Sequence, residues 1–250
     1  MSAGAPRRPR RARLVAIALG ATVLTAGFAA LGVWQVERRA WKLALIERVE
    51  TRAHSVPSPA PGPEDWASVT AETAEYRRVR VSGTFDNARE TFVQAATDYG
   101  AGFWVLTPLV TDRGFAVIVN RGFVPPDRKD PASRAAGLRE GPTTVTGLLR
   151  ITEPRGAFLR ANDPAADLWR SRDVSAIAAK RGLEAPVAPY FVDADAAPNS
   201  GGWPIGGLTV IAFRNSHLVY ALTWFSLAIG TAIGGWIVAR HELRRRPSAN

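Results

Sequence analysis

The chain has 250 residues, of which 46% are hydrophobic and 22% charged, with a formal net charge of +10, a single Met and no Cys. That composition excludes disulfides, thiolate metal sites, Cys nucleophiles, covalent c-type haem attachment and a soft copper site built on Cys and Met. The charge sits at the ends: residues 1–13 carry five Arg and no acid, residues 239–250 carry four Arg and one Glu, and residues 35–216 hold 23 basic against 21 acidic residues, so no nucleic-acid partner is expected.

The first segment, 1–13, reads as a basic cytoplasmic tail. Leu14 to Trp34 follows as 21 residues without a charge, enough for roughly 30 Å of helix, the thickness of the hydrocarbon core. A signal peptide would have a shorter apolar region and a small-residue cleavage site. Here the run continues into Gln35-Val36-Glu37-Arg38-Arg39, so a retained transmembrane helix over 14–34 is expected. Val36, Leu43, Ile46 and Val49 recur at near-helical spacing and extend it as a helical stem over 35–54. Pro57, Pro59, Pro61 and Pro63 then end the helix and open a Pro-rich linker over 55–75.

From 76 to 216 the period changes to two. Arg77 to Phe85 alternates polar and apolar residues, as a half-buried strand does. Thr91 to Ala95, Phe103 to Val110 and Phe115 to Asn120 read as further strands, with Asp112-Arg113-Gly114 as a hairpin turn between the last two. Thr143 to Ile151, Tyr190 to Asp193 and Leu208 to Phe213 complete the set. A short helix is expected over Val174 to Arg181, capped by Asp173. Asp193 and Asp195 read as a turn at a strand end. The fold class is therefore membrane α+β: two transmembrane helices, one near each terminus, flanking a β-rich, antiparallel, barrel-like extracytoplasmic domain.

The second span is 217–238, in which Leu218 to Val238 is again uncharged, followed by a basic cytoplasmic tail over 239–250. Nine basic residues flank the spans on the terminal side. Six lie on the inner flanks: Arg38, Arg39, Lys42, Arg48, Arg52 and Arg214. This bias places both termini inside. In a bacterium the protein is then a multi-pass inner-membrane protein with both termini cytoplasmic and the central domain periplasmic. His217 heads the second span, and Tyr220, Ala221, Trp224 and Ala228 share its helical face. An imidazole about 10 Å above an indole, with a small Ala between, leaves a slot for a flat metal-containing ligand. The same residue types also suit an interfacial aromatic belt. Gly230 and Gly234 form a small-xxx-small pair suited to helix packing. His54, His217 and His241 lie in unrelated segments, so a three-His zinc site is not expected, and no enzyme active site is visible.

Several blocks, in order, resemble the Surfeit locus protein 1 family, assembly factors of cytochrome c oxidase. They are Leu31-Gly32-Val33-Trp34-Gln35 with Arg38 and Trp41-Lys42; Tyr76, Val79, Gly83 and Phe85; Thr107-Pro108-Leu109 and Asn120-Arg121-Gly122-Phe123-Val124-Pro125. Asn162, Pro164, Trp169 and Asp173 follow. Pro204, Gly207, Asn215-Ser216-His217-Leu218, Tyr220-Ala221 and Thr223-Trp224-Phe225 close the series. Phe123 stands where the family usually has Trp, and Ser216 where it usually has a second Asn. The resemblance implies an assembly factor, not an enzyme, that assists delivery or insertion of haem a into the catalytic subunit I. It also implies transient binding of haem a, with His217 as axial ligand to the iron and Trp224 and Tyr220 in the haem environment. Arg121 is a candidate for a haem propionate or a partner's carboxylate; equally, Asn120 and Arg121 satisfy a strand end with Gly122 at a bulge. The partners implied are subunit I, haem a synthase as a further candidate, and the lipid bilayer. The alternative is a haem-independent membrane scaffold that stabilises a subunit I assembly intermediate.

Overall fold

A computed structural model describes residues 10–154, 156, 160–211, 213 and 215–244. It contains three α-helices, α1 (Arg10–His54), α2 (Val174–Arg181) and α3 (His217–Arg244). Its strands are β1 (Ser58–Pro59), β2 (Arg78–Phe85), β3 (Thr91–Thr97), β4 (Gly100–Thr111), β5 (Ala116–Val124), β6 (Pro142–Ile151) and β7 (Val187–Ala194). The chain divides into two compact units, Met1–Glu47 with Ala212–Asn250, and Arg48–Ile211.

The first unit is a helix pair. Both α1 and α3 are long and apolar enough to cross a membrane, and the stem expected over 35–54 is the continuous end of α1. The helices run antiparallel: Gln35 meets His217, Phe28 stacks on Trp224, Thr25 lies by Thr231, and Arg13 pairs with Glu242 at 3.8 Å. A Cβ on Gly32 would sit 2.6 Å from the Phe225 ring, and one on Gly235 2.5 Å from the Ala21 methyl. The α1 contacts fall at 21, 25, 28, 32 and 35, in steps of four and three. On α3 the matching series is 217, 221, 224, 228, 231 and 235, with Ala221 and Ala228 buried. This is the spacing of a coiled-coil seam. Gly230 and Gly234 do not make the close approach: a Cβ on either meets nothing within 4 Å. They line an open groove of about 500 Å³, one step round the helix from the seam.

The second unit is a closed barrel. β2, β6, β7, β5 and β4 follow one another around the ring, and β4 returns to β2. The pairs are antiparallel except β5 with β7, and the two-residue β1 also runs parallel to β2. Val79, Val81, Leu109, Val117, Val119, Val145, Leu149, Tyr190 and Val192 fill the interior. A second apolar cluster lies outside the ring, where Val174 and Ile177 of α2 cover Leu106, Ile118 and Phe191. Covered on both faces, β5 is buried along its whole length, which explains the continuous apolar run Ala116 to Val119. α2 has the expected bounds: the Asp173 carboxylate accepts from the Ala176 N–H, and Gly182 ends the helix in the left-handed region.

Two expectations need correction. Leu208 to Ile211 form no ladder, because β7 already pairs with β6 and β5 and a closed ring has no free edge beside it; Ala212, in the same expected strand, lies outside the described residues. So does Arg214, counted among the flanking charges, with residues 1–9 and 245–250 of the basic tails. The Pro-rich segment is no free linker. Ala60, Pro61 and Gly62 are buried, and the Pro61 carbonyl accepts from the Tyr190 hydroxyl at 2.6 Å and from Trp66 Nε1 at 3.2 Å. Proline carbonyls remain acceptors although the ring removes the N–H.

Candidate functional site

The helix pair carries the group with free coordination chemistry. His217 is the first residue of α3 and is half-buried. Its Nδ1 lies 2.7 Å from Oε1 of Gln35, a buried residue of α1. A carbonyl oxygen only accepts, so in the neutral ring this contact puts the proton on Nδ1 and leaves the lone pair on Nε2. No partner for Nε2 occurs among the described residues. Two helical turns along, Trp224 stacks on Phe28 with ring centroids 5.7 Å apart and planes 23° from parallel.

The expected ligand stripe is divided by this packing. Ala221, read as the floor of an open slot, is 2% exposed in the seam, and Ala228 is buried with it. Tyr220, one step round the helix, is 54% exposed and points away from the seam. Just before the helix, the Asn215 Oδ1 is buried and finds no hydrogen-bond partner among the described residues. A buried acceptor left unpaired costs about 1–3 kcal/mol, so this position is suited to a donor from a ligand or partner.

Arg121, the remaining sequence candidate, belongs to the other unit. Its guanidinium is 3% exposed and donates to Glu90 at 3.2 Å, to Asn87 at 3.2 Å and to the Gly137 carbonyl, beneath the ring of Phe85. Arg134 shares the same Glu90 carboxylate. Burial, with Arg134 and Arg139 nearby, pushes the Arg121 guanidinium down to about 10 against the pull of Glu90. That geometry joins Arg121 to its own domain and leaves no open fork for a propionate. Gly122 occupies a β-bulge of β5 at φ +126°, where a Cβ would fall 2.0 Å from the Ile205 carbonyl oxygen. Asn120 Oδ1 accepts from the Gly122 N–H and holds the bulge in place.

Asp193, read from sequence as part of a turn, is instead a buried hub inside β7. It accepts from Asn120 Nδ2 at 2.8 Å, Thr209 Oγ1 at 2.9 Å, Arg150 Nη1 at 3.0 Å and Arg172 Nη1 at 3.3 Å. Glu75 and Glu153 back the two arginines. Burial works against the Arg150 charge, but Asp193 and Glu75 outweigh it and raise its pKa. Asn120, Arg150, Arg172 and Asp193 floor a cavity of about 750 Å³ walled by Tyr99, Trp104 and the 207–210 segment. Asp193 has no local signal in the sequence, because its partners come from four distant segments.

Among the described residues, no group of three His, Cys, Asp or Glu side chains suited to a metal ion occurs. A lone imidazole suits an ion that brings its other ligands with it, as a porphyrin does. Comparison with known proteins covers both helices and the β domain. The SURF1 family model matches residues 22–229. Surfeit locus protein 1 of Rattus norvegicus is 36% identical over 233 residues, covering 87% of this chain and 72% of its own. The Homo sapiens protein of that name is 37% identical over 219 residues, covering 81% and 70%. A SURF1-like protein of Monosiga brevicollis is 36% identical over 238 residues, covering 90% and 86%.

Proposed function

The chain belongs to the SURF1 family, and from that premise we propose that it assists maturation of cytochrome c oxidase by holding haem a transiently for the catalytic subunit I. In this reading it is not an enzyme. It spans the bacterial inner membrane twice, with both termini in the cytoplasm and the β domain in the periplasm, and haem a synthase is a candidate donor.

The observation that carries the proposal is the His217 imidazole, hydrogen-bonded through Nδ1 and open at Nε2. Bound haem a would bring an iron that takes an axial nitrogen and a flat apolar ring that needs shelter from water. His217 Nε2 supplies the nitrogen. Trp224, braced by Phe28, supplies flat apolar surface, and the exposed Tyr220 extends it on the outer side of α3. The unpaired Asn215 Oδ1 asks for a donor, and the hydroxyl that distinguishes haem a from protohaem is one. A single axial ligand from the protein suits transfer better than two would.

The test is purification from a host that makes haem a, followed by visible spectroscopy. The wild type should carry haem a, and His217→Ala should lose at least nine-tenths of it. A spectrum unchanged by His217→Ala removes the ligand assignment. Subunit I copurifying with a wild type that carries no haem replaces it with the haem-independent scaffold.

A further inference from the structure

Why His217 should present Nε2 rather than Nδ1 is answered by the opposite helix. Gln35 lies 182 residues away in sequence, is 8% exposed, and puts Oε1 2.7 Å from Nδ1. Neutral imidazole has one donor and one acceptor nitrogen, and the partner of one decides the role of the other. We infer that Gln35 is the positioning residue for His217, its side-chain carbonyl selecting the Nδ1–H tautomer and orienting the ring so that Nε2 faces the haem iron. The inference rests on the haem-binding reading above.

The chemistry of the partner matters as much as its position. Metal-bound histidines are oriented by a carboxylate, a carbonyl or water at the second nitrogen, and a carboxylate raises the basicity of the ligand most. Gln35 is a neutral amide. It fixes direction and draws on the Nδ1 proton less than a carboxylate would, so the iron–nitrogen bond is directed but only weakly strengthened. That is the setting expected of a site that must give its haem up. The residue also sits in the seam, three residues on from Gly32, so the ligand is oriented only when α1 and α3 are paired. Ligand geometry and helix pairing are thereby coupled.

The test uses the full chain in detergent, with 15N-labelled histidine. Only His54, His217 and His241 contribute, and His217→Ala identifies the relevant signal. In the haem-free wild type, His217 should be in the Nδ1–H form. Gln35→Met, close in size and without an acceptor carbonyl, should shift it toward the other tautomer and weaken haem a binding about 10–100-fold. It should also lower the iron–histidine stretching frequency in resonance Raman spectra of the ferrous form. Gln35→Glu should keep the Nδ1–H form, raise that frequency above the wild type and slow haem a release. Its rescue of the tautomer separates positioning from a general packing effect. An unchanged His217 spectrum in Gln35→Met, or equal affinity and stretching frequency in all three proteins, overturns the inference. If the wild type takes up no haem a although the tautomer responds to Gln35, it is the haem-binding reading that fails.

Discussion

In the barrel, the Asp193 carboxylate receives four side-chain donors, and the two arginines among them are held from behind by Glu75 and Glu153. In the helix pair, the His217 ring has one side-chain partner and an open nitrogen, and Asn215 two residues earlier has a buried oxygen with none among the described residues. Both arrangements follow from the same requirement that buried polar groups be paired. Around Asp193 the barrel meets it internally, with ladders to fix the positions of its charged side chains, although Ser58 Oγ, Arg77 Nε and Arg170 Nε in the same unit find no partner among the described residues. At His217 and Asn215 it is met only in part. Under the function proposed above, the helix pair is the binding element and the barrel a body for positioning and recognition.

The sharpest way to break this contrast is to open the barrel's network. Asp193→Ala strands Arg150 and Arg172 with less negative charge than they need, and removing one partner of a buried ion pair costs about 3–5 kcal/mol. Urea unfolding of the β domain in the full-length protein should show that loss. A variant as stable as the wild type would mean that the network is not closed as described. Haem a content per folded molecule should stay at the wild-type level, since the haem reading places no ligand in the barrel. A proportional fall in haem would end the division of labour.

A smaller effect is expected where the Pro-rich segment is fastened. Tyr190→Phe removes the hydrogen bond to the Pro61 carbonyl, but that oxygen keeps its bond from Trp66 Nε1. The cost should therefore be about 1 kcal/mol, that of one bond rather than of a stranded acceptor. Limited proteolysis within 55–75 should quicken only slightly. A fall of several kcal/mol would show that this one bond holds the segment in place, rather than sharing the task with Ala60 and Ala74 in the core.

What was legible in the sequence divides along physical lines. Local signals held: Asp173 caps α2, which ends at Arg181, Gly114 turns the hairpin, and the run from Phe115 to Asn120 marks the strand β5. Signals that depend on distant pairing did not. The alternation at Leu208 to Ile211 is genuine, yet the barrel closes without it, and Val210 is left 78% exposed. Asp193 resembled a turn residue because nothing nearby announces Asn120, Arg150, Arg172 and Thr209. The α3 stripe was legible as a stripe, but the spacing that aligns His217 with Trp224 also aligns Ala221 and Ala228. Those small residues admit a helix, so the face meets α1 before it meets any ligand.

The finest test of the contrast adds a pH titration to a single mutation. Burial tends to raise the Glu153 carboxyl, but hydrogen bonds and charge from Arg172, with Arg150 adding, outweigh it and hold it below the usual value of 4.5. In the unfolded chain the group returns to that value. Through this range the folded state binds fewer protons than the unfolded chain, so unfolding becomes easier as pH falls. The Glu153 contribution is fully present above pH 4.5 and is lost as pH falls through the folded value. Because the side chain is partly exposed, solvent screening keeps this effect the smallest of the set. Urea midpoints of the wild type and Glu153→Gln should differ at pH 7 and converge as the pH is taken well below 4.5. A gap that persists undiminished in acid would show that Glu153 acts through its shape rather than its charge, and that the barrel's ion network is less electrostatic than its geometry implies.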